Sequence, residues 1–358
     1  MIIKKGSSLA NLFEKILKRK EDYRIVEINF DSTNPLGKGV SFNLVSFYNQ
    51  NMLVYVKDDL VDFDCGIDEI SFISLICSLL HNKDEVSVQL SDDSSKVVVD
   101  SEYTFTKYEK SNYEFDIDEY IHIMSWNKNE FSKLENDFYF SSGNYSVNQE
   151  YGNLINICVS SNGIVNKYCP SYELMKFSKD FYGKLDENIG TAYQNCKAVV
   201  NIKRNAWELL NGKDNVKLYE RHDNIIIKSN DVIIKYIAVS FDCDRIDLYL
   251  NTKSDNKNFT VKDLKELRDK INIDVQTISD VENVILFVMK TETGSELSMS
   301  GFNVNINKTL DTDFGIDYRV LDWITKNIPE SSKVSFIEDK NLIKIDDGND
   351  TYFCCLCK

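Results

Sequence analysis

Residues 68–108 read DEISFISLICSLLHNKDEVSVQLSDDSSKVVVDSEYTFTKY, and within them the hydrophobic period changes once. From Asp68 onward, Phe72, Ile73, Leu75, Ile76, Leu79 and Leu80 recur at helical spacing. The opposite face is Ser71, Ser74, Ser78 and His81, with no carboxylate on it. After Lys83 the period drops to two: Val86, Val88 and Leu90, then Val97 and Val99, then Tyr103 and Phe105. A helix followed by a meander of strands cannot bury both of its faces alone. Such a unit either repeats or assembles.

The same pattern recurs on both sides of this stretch. Upstream, Leu9, Leu12, Phe13, Ile16 and Leu17 form an apolar stripe with Ser7 or Ser8 as N-cap, followed by strand-like runs at 24–30, 40–48 and 52–57. Downstream, a strand from Tyr113 to Met124 precedes a helix from Trp126 to Phe138 that turns Phe131, Leu134 and Phe138 inward. A strand pair at 154–159 and 164–168 follows, joined by Ser160-Ser161-Asn162-Gly163. Residues 170–195 show no clear period. The strand 199–202, a helix from Lys203 to Asn211 and strands at 216–219, 224–228 and 232–239 make a fourth unit. A strand from Phe241 to Leu250, a helix VKDLKELRDKIN capped by Thr260 and strands at 284–289 and 296–304 make a fifth. The sixth is the helix IDYRVLDWITKN, stopped by Pro329, with the strand 333–337 and a hairpin turned at Asp347-Gly348. One supersecondary unit therefore recurs about six times at roughly 60-residue spacing, a period that favours arrays and rings over compact enzymes.

Bulk composition narrows the class. The chain of 358 residues is 42% hydrophobic and 28% charged, ordinary for a globular protein with a sizeable core. Only 3 prolines and 14 glycines argue against long flexible linkers and Gly-rich phosphate cradles. A net charge of −15 speaks against a nucleic-acid-binding surface on average, unless the cations are gathered on one face. No apolar run reaches a membrane span, and the opening MIIKKGSSLANLF has no cleavage-site pattern. The 9 cysteines form no CxxC pair and are expected as reduced thiols in a cytoplasmic protein. The histidines His81, His122 and His222 lie too far apart for a His-rich zinc site.

The segment VDFDCGIDEISFISLICSLL, with the strands that follow it, resembles the corresponding part of the sliding clamps of T-even-like bacteriophages, which are DNA polymerase processivity factors. The shared pattern is a Phe-Asp strand end, an apolar helix, a polar loop, two alternating strands and an aromatic strand. FTVKDLKELRDKI, SMSGFN and VLDWITKNIPESSKVSFIEDKNLIKIDDGNDTYFCCL look like the C-terminal domain of such clamps. The resemblance covers residues 1–110 and 200–358, with 113–195 compatible. It implies an α+β DNA-clamp fold of repeated helix-plus-antiparallel-strand units, closed into a ring with helices inside and sheets outside. Those phage clamps have two domains, and this chain is longer by about one. Three domains are therefore expected, at 1–112, 113–240 and 241–358, the length of bacterial beta clamps. Two such chains would close a ring, with a trimer as the alternative.

What the resemblance implies for function is a non-enzymatic sliding clamp without cofactor or metal, acting in the cytoplasm of an infected bacterial host. Its partners would be double-stranded DNA, a DNA polymerase, an ATP-driven clamp loader and a second copy of itself, with no membrane. The cations expected to face DNA from the pore helices are Lys15, Lys18, Arg19, Lys133, Lys203, Arg204, Lys262, Lys265, Lys270, Arg319 and Lys326. Glu208, Glu266, Asp269 and Asp322 share those helix faces. Two other readings compete. One is an interaction scaffold that keeps the clamp fold without encircling DNA. The other is a metal-dependent nuclease built on Asp242, Asp244 and Asp247, although no His or Lys at suitable spacing accompanies them. Gly37-Lys38-Gly39 lacks the P-loop spacing, and neither GxSxG nor HExxH occurs.

Overall fold

The computed structural model describes the chain except residues 19–22, 35, 47–50, 68–69, 113–115, 142–153, 160–164, 171–173, 195–196, 240–249, 252–258, 276–284, 292–293, 300–301, 307–313, 338–341 and 356–358. It forms two compact units. The first is built chiefly from Met1–Leu134 and Tyr182–Ser240, the second from Glu135–Ser160, Ile164–Phe181 and Phe241–Lys358.

Unit 1 starts with helix α1 (Ser8–Lys18), which buries Leu9, Leu12, Phe13 and Ile16, the stripe that the sequence predicts. Ser7 is its cap: its hydroxyl oxygen accepts the Ala10 N–H at 3.2 Å. Helix α2 (Ile70–Asn82) buries Phe72, Ile73, Ile76 and Leu80 and leaves Ser71, Ser74, Ser78 and His81 exposed. Phe13 and Phe72 meet edge to face at 6.3 Å, and Phe72 also meets Phe30 and Phe105 this way. That aromatic cluster joins both helices to the strands behind them. A four-stranded sheet, in the order Ile2–Lys4, Glu85–Leu90, Lys96–Val99 and Tyr103–Thr106, completes the unit first read from the sequence.

A nine-stranded antiparallel sheet dominates unit 1. Its order is Lys184–Leu185, Ile121–Trp126, Val216–Arg221, Asn224–Lys228, Val232–Ile237, Asn51–Lys57, Gly39–Ser46, Tyr23–Asp31 and Cys65–Ile67. Strands from both sides of the expected boundary at 112/113 share this sheet, since Val232–Ile237 pairs directly with Asn51–Lys57.

The chain on either side of residues 113–115 is tied to that sheet. Tyr108 exchanges two backbone hydrogen bonds of 2.9 Å with Gly66, and the Lys110 ammonium bridges Asp31 at 2.8 Å and Asp64 at 3.2 Å. The sequence predicts a strand from Tyr113 to Met124. Of that stretch, 113–115 lie outside the described residues; the structure has a 3₁₀ turn at Ile117–Glu119 and a strand at Ile121–Trp126. Asp116 explains the difference, because its carboxylate accepts the Asp118 N–H and diverts the backbone into a turn. Ile117 and Tyr120 then pack on Tyr55, Ile226 and Ile233, and Glu119 pairs with Arg221.

Helix α3 (Lys128–Ser141) begins two residues later than expected and leads out of unit 1. In the stretch without sequence period lie strands Leu174–Ser178 and Lys184–Leu185 and a short helix α4 (Ile189–Ala192). Helix α5 (Arg204–Leu210) follows strand Ala198–Lys203, so Lys203 is its cap residue and not a helical one. Trp207 of α5 donates from Nε1 to the buried Phe131 carbonyl at 2.8 Å.

Within unit 2, strands Leu154–Val159, Val165–Pro170, Leu174–Ser178, Asp350–Cys355, Leu342–Asp346, Lys333–Ile337 and Phe259–Thr260 are neighbours in that order. A second sheet runs Phe302–Ile306, Gly294–Met299, Ile285–Thr291 and Phe314–Asp317. Helix α6 (Val261–Val275) starts where Thr260 and Asp263 bond each other, the Thr260 amide and hydroxyl both donating to the Asp263 carboxylate. Helix α7 (Tyr318–Asn327) is capped by Asp317, which accepts the Arg319 N–H at 2.8 Å. The expected strand 241–250, with Asp242, Asp244 and Asp247, lies outside the described residues except for Leu250.

Candidate nucleic-acid interface

The cations read from the helical pattern meet different fates. Lys18 at the end of α1, Lys133 on α3 and Lys262 on α6 are exposed and have no carboxylate partner among the described residues. Lys133 lies 5.9 Å from the Tyr182 ring centroid. Lys326, Lys265, Arg204 and Arg319 are paired. Lys326 holds Asp322 at 2.7 Å one turn away, Lys265 pairs with Glu330, Arg204 holds Glu208 at 3.0 Å, and Arg319 grips its own cap residue Asp317 at 2.9 Å. Ion pairs at i,i+4 form because the two side chains sit above one another on a helix, so the acids that share these faces neutralise the cations.

Packing gives two of the expected cations other neighbours. The Lys15 ammonium donates to the carbonyls of Leu209, at 3.1 Å, and Asn211, at 2.7 Å. Those carbonyls end α5, where the helix leaves acceptors unsatisfied and the dipole is negative. Burial, and then the neighbouring Lys213, hold this amine below the ordinary lysine range. Lys203 is 9% exposed, with its ammonium 4.7 Å from the centroid of the Tyr236 ring. Arg19 and the Lys270 side chain lie outside the described residues.

Other polar clusters escaped the sequence reading. In unit 2, buried Asp137 on α3 receives the Lys167 ammonium at 2.6 Å, while Lys176 lies 3.5 Å from Asp137 and 3.0 Å from Asp350. Burial pulls the Lys176 amine down, but the two carboxylates outweigh it and hold it above the ordinary lysine value. In unit 1, His122 Nδ1 lies 2.5 Å from the Asp186 carboxylate, and its Nε2 lies 2.9 Å from the Ser125 hydroxyl. The distances match a serine nucleophile with its base and orienting acid. A fourth group argues against that chemistry: the Met124 carbonyl lies 3.1 Å from the same Nε2. A carbonyl oxygen is only an acceptor, so it opposes a lone pair at Nε2 and favours a proton there. The cluster is a tie between a strand and the segment entering α4. A signal was present in the sequence, since His122 and Ser125 are close along the chain, but the partner Asp186 lies in the stretch without period.

No group of three or more His, Cys, Asp or Glu side chains is arranged to hold a metal ion among the described residues. Cys65 and Cys77 are free thiols. No helix is long and apolar enough to cross a membrane among the described residues.

No protein-family model matches the sequence, and no curated protein does. Solved structures do match. The DNA polymerase sliding clamp from Caulobacter crescentus superposes with a TM-score of 0.64 at 12% identity, over 100% of this chain and 99% of that one. The DNA polymerase III subunit beta from Pseudomonas aeruginosa gives 0.63 at 10% identity, with the same coverage of both chains. The Helicobacter pylori beta clamp bound to a DNA ligase peptide gives 0.59 at 12% identity, again over 100% and 99%.

The chain has the sliding-clamp fold.

The match runs the full length of both chains, so the stretch 113–195, whose period was weakest, is part of the same architecture. At 10–13% identity the sliding-clamp fold persists while the side chains that decorate it have changed. The helix faces of this chain therefore have to be read on their own residues. They carry fewer unpaired cations than the sequence pattern suggests.

Proposed function

We propose that two copies of this chain close a ring around duplex DNA and tether a replicative polymerase to it, after an ATP-driven loader has opened the ring. The observation that carries the reading is the end-to-end match to sliding clamps, which leaves no part of the chain over for another task. The reading is of a non-enzymatic protein with three clamp domains, at 1–112, 113–240 and 241–358, working without cofactor or metal in the cytoplasm of a bacterium. Infection by a phage as its setting rests on the T-even-like pattern of residues 68–108 and of the C-terminal hundred residues.

Sheet edges support the closure into a ring. Among the described residues, Tyr103–Thr106 ends a four-stranded sheet in unit 1 and Phe302–Ile306 ends another in unit 2. A strand with one neighbour presents a row of unpaired N–H and C=O groups to a second chain. Pairing the first edge of one copy with the second edge of another uses both, and it closes after two copies if each chain spans half a turn. DNA would be held by enclosure and by weak, sequence-independent phosphate contacts. The expected cations Lys18, Lys133 and Lys262 are those with the freedom to make them, while Lys265, Arg204, Arg319 and Lys326 must first leave a carboxylate.

Native mass spectrometry with small-angle scattering tests the assembly. The expected result is a two-chain particle with a central hole, and a compact monomer would overturn the proposal. Loader- and ATP-dependent stimulation of a polymerase on a primed circle tests the function, and its absence in a closed ring would favour the scaffold reading.

A further inference from the structure

We propose that the nine-stranded sheet of unit 1 carries, on its outward face, a docking strip for a short, extended acidic segment of a partner protein, gripped by Lys184, Ser125, Lys217 and Lys228. Register puts these four residues in one row. Lys184 lies opposite Ser125, Ser125 opposite Lys217, and Lys217 opposite Lys228. Residues directly opposite one another share a face of the sheet. That face points away from the helices. In the adjacent row, Leu218, Ile227, Ile234, Val54 and Phe42 lie opposite one another in turn, and Phe42 meets Phe13 of α1 at 5.5 Å. Successive side chains on a strand alternate between faces, so the lysine row is on the other side.

Charge sets this row apart. Like charges directly opposite each other destabilise a sheet, and Lys217 and Lys228 are such a pair. With 57 Asp and Glu to 42 Lys and Arg in the chain, a carboxylate opposite either lysine would be the commoner arrangement. Lys217 is exposed, Lys228 is half-buried, and among the described residues no carboxylate pairs with either. Lys184 has Glu187 at 3.4 Å, with both side chains 80% or more exposed, where an ion pair contributes little. Between the lysines, the Ser125 hydroxyl oxygen lies 2.9 Å from His122 Nε2. With the proton on Nε2 that oxygen accepts, and the hydroxyl's own hydrogen is left to donate to an anion.

Dimensions and surroundings select the occupant. Opposite residues stand about 5 Å apart, so the row measures about 15 Å from Lys184 to Lys228. An extended peptide places alternate side chains about 7 Å apart on one side, so carboxylates at its first, third and fifth positions span about 14 Å. Acids bound the row. Tyr219, two residues beyond Lys217 on the same face, has its hydroxyl raised by burial and then by the Asp118 and Asp186 carboxylates, and Glu187 stands beside Lys184. A nucleic-acid strand running past the row would meet those carboxylates, whereas a segment of five residues ends before them.

The experiment titrates the intact full-length protein into a fluorescently labelled Glu-Ser-Glu-Ser-Glu peptide at low salt and reads anisotropy. Saturable binding is expected, with Kd about tenfold higher in the double variant Lys217→Glu, Lys228→Glu. The double variant Lys96→Glu, Lys333→Glu makes the same change of net charge on other sheets and is expected to leave Kd within about twofold of wild type. Absence of saturable binding, or equal weakening in both double variants, overturns the proposal. So does a single-stranded oligonucleotide of equal charge that binds more tightly than the peptide through the same lysines, since the strip would then serve nucleic acid. Lys217→Thr checks the premise without reversing a charge. It removes the like-charge contact, so binding should weaken about threefold while Tm at low salt is no lower than in wild type. A lower Tm would show that Lys217 serves the sheet and not a partner, and would overturn the proposal too. None of these outcomes depends on whether the protein forms a ring.

Discussion

Lys15 reaches from α1 to the last carbonyls of α5, where two charge-assisted hydrogen bonds end a helix of seven residues. So short a helix has no stability of its own, and each such bond contributes about 1.5–3 kcal/mol when the donor is charged. Lys15→Met keeps the packing and removes both bonds. Chemical denaturation should show a loss of about 3–6 kcal/mol less the desolvation cost that burial of the ammonium carries, and a loss under 0.5 kcal/mol would show that the two offset each other. Asp186 is the second residue whose role the structure specifies. The Asn188 amide, and then the His122 ring, hold its carboxyl below the usual carboxylate range. With the folded value lower than the unfolded one, its contribution is present above about pH 4 and is lost as the pH falls through the folded value. Asp186→Asn should therefore be less stable than wild type at pH 6, with the gap closing towards pH 2. Parallel stability curves across that range would contradict the tie to His122.

At the scale of elements, the chain's periods carried far. The stripes of α1 and α2 are buried as the spacing predicts, because a 3.6-residue period admits only one core-facing side. The serine face of α2 is exposed, as read. Alternation did not distinguish a strand from a capped turn at Ile117–Tyr120, where the decision lies with one side-chain hydrogen bond from Asp116. Helical wheels also give a direction without a destination. Lys15, Lys18 and Lys203 all read as outward cations, yet Lys15 finds the end of α5, Lys203 finds a tyrosine, and only Lys18 stays exposed. Which of them occurs depends on elements more than 190 residues away in sequence for Lys15, and no local pattern encodes that. Lys18→Glu is accordingly the clean test of the pore face. It should reduce clamp loading or processivity severalfold while leaving the unfolding midpoint unchanged within about 0.5 kcal/mol, and an unaltered salt dependence of DNA retention would rule this residue out.

Over the whole molecule, charge is what distinguishes this chain from a strong DNA binder. With Lys18, Lys133 and Lys262 as the expected cations free of a carboxylate among the described residues, those three on each chain of a two-chain ring would neutralise about six phosphates, giving a slope of log K against log salt near −5. A measured slope steeper than about −8 would mean that the paired cations also release their acids to bind phosphate. A slope near zero would mean that no helix contacts the duplex. Both measurements need linear DNA, from which the ring can slip, so that affinity and enclosure are separated.

The strands Asn51–Lys57 and Val232–Ile237 meet in the middle of a nine-stranded sheet, and the chain is tied to it before residues 113–115 by Tyr108 and Lys110 and after them by Ile117, Tyr120 and Glu119. The peptide bond between residues 112 and 113 is thus redundant as a fastener, since hydrogen bonds and buried side chains on both sides of it already hold the same pieces together. Fragments 1–112 and 113–358, made separately in one cell, should find each other and co-purify as a stoichiometric pair. Because that pairing replaces an intramolecular closure with a bimolecular one, its midpoint of unfolding should rise more steeply with protein concentration than that of the uncut chain. A split protein of this kind would let one half be labelled or mutated independently of the other.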